Sequence, residues 1–174
     1  MKPLLVVDGD SFAHRSYHAL PKSIRRADGG PAGLLTGVGN LLVRLWEEES
    51  PRAVLVAWDT LTVATYRHVA LESYQGGRVF DAELLEQLDL APQLVESMGF
   101  AAAKADGYEA DDFLAAAVAF EEARGGAALV ASGDRDTFQL ASERTTILQP
   151  QKGGGPLARI GPAEVRERYG VDPE

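Results

Sequence analysis

No cysteine occurs among the 174 residues. That excludes a disulfide framework and any thiolate metal site, so a bound metal would have to be held by oxygen or histidine. Positive charge is also scarce. Seventeen Lys and Arg face 26 Asp and Glu, a formal net charge of −9. Such a balance argues against simple coating of nucleic acid, which wants a basic surface. Long apolar runs are missing as well. The opening "MKPLLVVDGD" turns acidic too soon for a signal peptide or a membrane span. The expectation is a cytoplasmic protein with no membrane partner. A hydrophobic share of 45% is enough for one domain, or one domain with a small appendage, around a real core. There is no repeat and no low-complexity linker.

Three short apolar runs stand out: "LLVV" at 4–7, "AVLVAW" at 53–58 and "AALVA" at 127–131. They do not alternate, so they read as strands covered on both faces. Helical patterns lie between them, at 36–49, at 81–100 with an interruption or kink near Pro92, and at 109–123, the last closed by Gly125 and Gly126. A hairpin is expected over 145–160 and a short helix over 161–170, with Pro162 in its first turn. Strands alternating with helices predict an α/β fold: three layers, a mostly parallel central sheet and helices on both faces.

Each of the three strands ends at or just before an aspartate: Asp8, Asp59 and Asp134. In open α/β sheets the carboxyl edge of the strands is where ligands bind. If the strands are neighbours, the three acids share that edge. Asp10 and Asp136 follow two of them at a spacing of two. The helix "YEADDFLAA" leads into the third strand, so its amino end returns to the same edge and brings Glu109, Asp111 and Asp112. Residues two apart on a regular helix point about 200° apart. For Glu109 and Asp111 to face one centre, Glu109 must lie at the cap, a turn that Gly107 eases. Asp112 is either a shell member or an acid favoured by the helix dipole. Five or six carboxylates crowded together raise one another's pKa values, and divalent cations resolve the conflict. With no cysteine, and with all three histidines in basic stretches elsewhere, the pattern points to Mg²⁺ or Mn²⁺. Two such ions suit phosphodiester hydrolysis. The basic stretches are His14–Arg26 and Tyr66–Arg78, either of which is also read as a solvated surface.

Taken together, "LLVVDGDSFAHRSYHAL" (4–20), "VAWD" (56–59), "YRHVALESYQGGR" (66–78), "GYEADDFLAA" (107–116) and "ASGDRDTFQL" (131–140) resemble the 5′-nuclease superfamily, in particular the amino-terminal 5′-3′ exonuclease domain of bacterial DNA polymerase I. The resemblance covers nearly the whole chain and implies a PIN/resolvase-like fold. It also implies a flap-endonuclease-like, divalent-metal-dependent 5′-3′ exonuclease acting on DNA with a 5′ single-stranded end or flap, with a place in DNA replication and repair. By it, Asp8, Asp59, Glu109, Asp111 and Asp134 are metal ligands, Asp134 and Asp136 turn toward a second metal, and Asp112 supports them. Arg15 faces a substrate phosphate. A helical arch is expected over about 66–90, where Arg67, Tyr74, Gln75 and Arg78 meet a single strand; tyrosines among arginines suit stacking and phosphate contact. Two departures stand out. The family usually carries a lysine directly after the tyrosine matched by Tyr74, and here Gln75 stands there. The family also continues into a DNA-binding helix-three-turn-helix domain, and this sequence stops about where that domain is expected to begin, leaving the second metal site incomplete.

Other readings compete. "VVDGDS" is similar to the nucleophile motif of haloacid-dehalogenase-type phosphatases, with Asp8 as nucleophile and Asp10 as acid/base; their late motif wants an acid four residues after Asp134, where Phe138 stands. A PIN-type ribonuclease shares the acids but lacks the 66–78 segment. A catalytically weak nucleic-acid-binding remnant is the third reading.

Overall fold

A computed structural model describes residues 2–60, 81–151 and 155–173. The expected arch positions Arg67, Tyr74, Gln75 and Arg78 lie outside the described residues.

Six strands form one sheet: β1 (Leu4–Asp8), β2 (Ala53–Ala57), β3 (Ala101–Ala103), β4 (Ala128–Ala131), β5 (Thr145–Gln149) and β6 (Ala158–Ile160). Their spatial order is β3-β2-β1-β4-β5-β6. The first five are mutually parallel, and β6 closes the expected hairpin antiparallel to β5, with Ile147 opposite Ile160. Alternate side chains of β1 feed opposite faces of the sheet. Leu5 and Val7 join one cluster with helices α1 (Gly9–Ala19), α2 (Gly33–Glu49) and α3 (Ala82–Ser97). Val6 joins the other, with α4 (Ala110–Ala123), Phe138 and Val165 of α5 (Pro162–Tyr169). Helices therefore cover both faces, giving the three-layer α/β architecture. Burying each of these large apolar side chains contributes roughly 1.5–3 kcal/mol. Among the described residues no helix is long and apolar enough to cross a membrane.

Three differences from the sequence expectation have physical causes. Helix α1 starts directly from Asp8, where the polar stretch "GDSFAHRSYHA" disguises a buried face of Phe12, Ala13 and Tyr17. Strand β3 consists of three alanines on the sheet edge, with no β-branched or aromatic signal to announce it. Helix α3 runs unbroken through Pro92, giving up one backbone hydrogen bond inside an otherwise well-packed helix. Residues 82–90, part of the expected arch segment, belong to this helix, and Leu84 and Leu88 are in the core.

Two cations of the first basic stretch, Arg25 and Arg26, are neutralised largely by α3. Arg25 pairs with Glu83 at 2.8 Å, and Arg26 pairs with Glu86 at 2.6 Å and with Asp28 at 3.2 Å.

Candidate active site

Strand β1 lies between β2 and β4, all parallel, so the three strand-end acids leave the sheet from adjacent strands on one edge. The chain departs to β2 on one side of β1, while β4 lies on the other, and a crevice opens at such a switch point. A cleft of about 630 Å³ occupies this edge, lined by Asp8, Asp10, Ser11, His14, Asp59, Glu109, Ala110, Asp111, Gly133, Asp134, Arg135 and Asp136. Asp8 and Glu109 are buried, Asp59 and Asp111 half-buried, Asp134 and Asp136 exposed.

Asp8 is the N-cap of α1. Its Oδ1 accepts the Ser11 N–H at 3.0 Å, and its Oδ2 accepts the Ser132 hydroxyl at 2.7 Å. The same Ser132 oxygen accepts the Asp134 N–H at 3.0 Å, and Ser11 Oγ accepts the Gly133 N–H at 3.0 Å. Two serines thus pin the β4 loop to the start of α1. Asp134 Oδ1 in turn accepts the Asp136 N–H at 3.0 Å, which tightens the turn carrying both acids. Helix α1 comes very close to β2: a Cβ on Gly9 would lie 2.7 Å from the Ala57 carbonyl and the Trp58 ring.

Glu109 is the N-cap of α4, with extended backbone, so it and Asp111 reach one cleft despite their spacing. Gly107, at φ +84°, makes the preceding turn in the left-handed region. Asp112 Oδ2 accepts the Glu109 N–H at 2.8 Å. Asp112 therefore sits behind the cleft lining, holding the cap that presents Glu109. Asp59 Oδ1 accepts the Ala110 N–H at 2.7 Å, fastening the end of β2 to α4.

The electrostatics are strained. Burial, with some help from the Asp59 and Asp134 charges, raises the Asp8 pKa against the lowering effect of its two hydrogen bonds. Burial first, then the charge of Asp59, pushes Asp10 up to about 7. Among the described residues Asp8, Asp10, Asp59, Asp134 and Asp136 form no ion pair with lysine or arginine. The positive ends of α1 and α4 offset part of this charge. Among the described residues no three acid or histidine side chains are already closed on one point as a metal-ligand set. The donor set is hard oxygen, which fits a hard divalent cation that keeps part of its water shell.

One placement differs from the sequence expectation. His14 lies in the cleft rather than away from the acids, because α1 begins at Asp8 and carries it there. Arg15, one residue on, lines a neighbouring groove with Phe12, Leu41 and Arg44 and donates to the Gln151 carbonyl at 3.1 Å. Ser11, Ser132 and Asp10 join the site without being expected there as metal-site residues; a small polar residue within three positions of each strand-end acid is the signal they left in the sequence. Phe138, where the phosphatase motif wants an acid, is buried in the core.

The family described as 5′-3′ exonuclease, N-terminal resolvase-like domain matches residues 3–170. The chain belongs to that family. Within this 5′-3′ exonuclease family the chain is 35% identical over 175 residues to DNA polymerase I of Mycobacterium leprae, and 37% identical over 174 residues to DNA polymerase I of Bacillus caldotenax. Each match covers 99% of the chain but 19% and 20% of the relative, so the chain spans about a fifth of the length of the curated relatives it matches. Solved structures with the same fold include a bacteriophage T5 flap endonuclease in complex with DNA and metal ions (TM-score 0.78, 20% identity, 98% of this chain and 62% of that one). They also include a bacteriophage T5 5′-exonuclease with zinc bound (TM-score 0.76, 19% identity, 98% and 62%).

Proposed function

We propose that this chain is the catalytic domain of a divalent-metal-dependent 5′-3′ exonuclease or flap endonuclease, hydrolysing DNA phosphodiester bonds at 5′ ends or flaps. The observation that carries the reading is the convergence of Asp8, Asp59, Glu109, Asp111, Asp134 and Asp136 from three strand ends and one helix start on a single cleft. Similarity to DNA polymerase I over the whole chain supports it, as do the metal and DNA found with the T5 nucleases.

Asp8, Asp59, Glu109, Asp111 and Asp134 would hold Mg²⁺ or Mn²⁺, with Asp136 and Asp134 facing a second ion and Asp112 fixing the cap behind them. When bound, the ions lower the pKa of a water and neutralise charge developing on the phosphate oxygens. The chain's own contribution is placement. Ser132 and Ser11 hold Asp8 and the β4 loop in register, and Asp112 fixes Glu109 at the helix cap. His14 and Arg135, which line the cleft, are proposed to meet a substrate phosphate together with the neighbouring Arg15, and Arg67, Tyr74, Gln75 and Arg78 are the proposed contacts to the single strand. A separate helix-three-turn-helix unit is the proposed source of duplex affinity.

The test is cleavage of a 5′-labelled DNA duplex with a 5′ overhang, in Mg²⁺ or Mn²⁺ against EDTA. Release of short 5′ products that needs the cation and is lost in Asp111→Asn supports the reading. Equal cleavage in EDTA, or a covalent aspartyl-phosphate on Asp8, overturns it.

A further inference from the structure

Asp10 is a seventh acid in the cleft, and its hydrogen bonding differs from that of its neighbours. It is 8% exposed, in the first turn of α1. Its Oδ2 accepts the backbone N–H of Asp59 at 2.6 Å. Asp59 in turn uses Oδ1 to accept the Ala110 N–H, at the first residue of α4. The two bonds form a run from α1 through the end of β2 to the start of α4. Those are three of the elements that supply the acids of the cleft.

We propose that Asp10 is a positioning residue for the metal centre, holding the Asp59 backbone so that the Asp59 carboxylate keeps a fixed spacing to Glu109 and Asp111. Asp59 follows β2 by two residues and has left the sheet ladder, which ends at Ala57 opposite Asp8. The rotation of the peptide before it sets where its side chain points. Asp10 fixes that rotation through one short bond from the Asp59 N–H to its Oδ2. The role needs an acceptor at that point. An asparagine oxygen can fill it; alanine cannot.

This inference rests on the nuclease reading. The experiment uses the wild-type chain, Asp10→Asn and Asp10→Ala, with Mn²⁺ as the probe. Calorimetry gives Mn²⁺ affinity, overhang cleavage gives kcat and DNA KM, and amide exchange by NMR reports the Asp59 N–H directly. Asp10→Ala is expected to expose the Asp59 amide to exchange and to weaken Mn²⁺ binding by about tenfold, the size of effect seen when a group behind a ligand is removed. Its DNA KM stays at the wild-type value. Asp10→Asn is expected to restore amide protection and to return the affinity to within about twofold of wild type. If Asp10→Ala does not fold, Asp10→Ser, too short to reach the Asp59 N–H, takes its place under the same criteria. Wild-type Mn²⁺ affinity in the folded alanine or serine variant overturns the proposal. So does an Asp10→Asn variant as defective as Asp10→Ala, since Asp10 would then act as a charged ligand. A wild type that binds no Mn²⁺ overturns both this proposal and the nuclease reading, whereas binding that Asp10→Ala leaves unchanged overturns this one alone.

Discussion

Without metal, the acid cleft should make the protein less stable as pH rises, and Asp10 gives a large effect of this sign. Its pKa is about 7 in the fold against 3.8 for a free aspartate. A raised carboxyl pKa means the folded state holds a proton that the unfolded chain has already released. Stability is therefore greatest below about pH 4 for this group and is lost progressively as pH climbs to about 7. At about 1.4 kcal/mol for each pH unit between those two values, the loss is on the order of 4 kcal/mol, a large part of a typical domain's total stability. The raised Asp8 pKa adds a loss of the same sign. Asp28, Asp81 and Glu164 are shifted downward and so act with the opposite sign, their effect lying at the acid end of the range. The assay is urea unfolding in EDTA from about pH 5 to about pH 8, on the wild type and Asp10→Asn. The variant removes the Asp10 titration and should flatten most of the slope, leaving the part due to Asp8. Stability that is level or rising over this range in the wild type, or an equal slope in Asp10→Asn, refutes the electrostatic reasoning.

Other perturbations probe the frame around the site. Ser132→Ala removes the hydroxyl shared by Asp8 and the Asp134 N–H; a cost of about 1–3 kcal/mol in urea unfolding and weaker divalent-ion binding are expected. Gly9→Ala forces a methyl against the Ala57 carbonyl and the Trp58 ring, so a loss of about 1–3 kcal/mol is expected, and an unchanged melting temperature would contradict the close approach. Arg52→Ala strands Glu121, whose side chain is 3% exposed, beside Gly126. Because Arg52 itself is 41% exposed, the expected cost is about 2 kcal/mol, below that of a fully buried pair, with metal binding unaffected.

The sheet was legible where the chemistry is local. Runs such as "LLVV" and "AALVA" are apolar on both faces because β1 and β4 are sandwiched between two clusters, and that leaves a direct mark in composition. The edge strand Ala101–Ala103 is covered less, so nothing forced large β-branched residues there. The acid edge was legible for a topological reason: parallel strands must end on the same side, and the adjacent β2, β1 and β4 each carry an aspartate at their end or within three residues of it. The roles of Ser132, Ser11 and Asp10 were not, because each depends on which backbone N–H lies within about 3 Å after folding. His14 was misplaced for a related reason. The basic character of 14–26 suggested a surface away from the acids, whereas α1 starts at Asp8 and turns its His14 side toward the cleft while Arg25 and Arg26 are drawn off to α3.

The central claim is that the cleft is a divalent-metal centre. Calorimetric titration of Mn²⁺ into the wild-type chain and into Asp134→Asn tests it most directly. The account predicts saturable binding by the wild type, weakened at least about tenfold in Asp134→Asn at an unchanged melting temperature. No saturable binding by the wild type, or equal affinity in the two proteins, would contradict it.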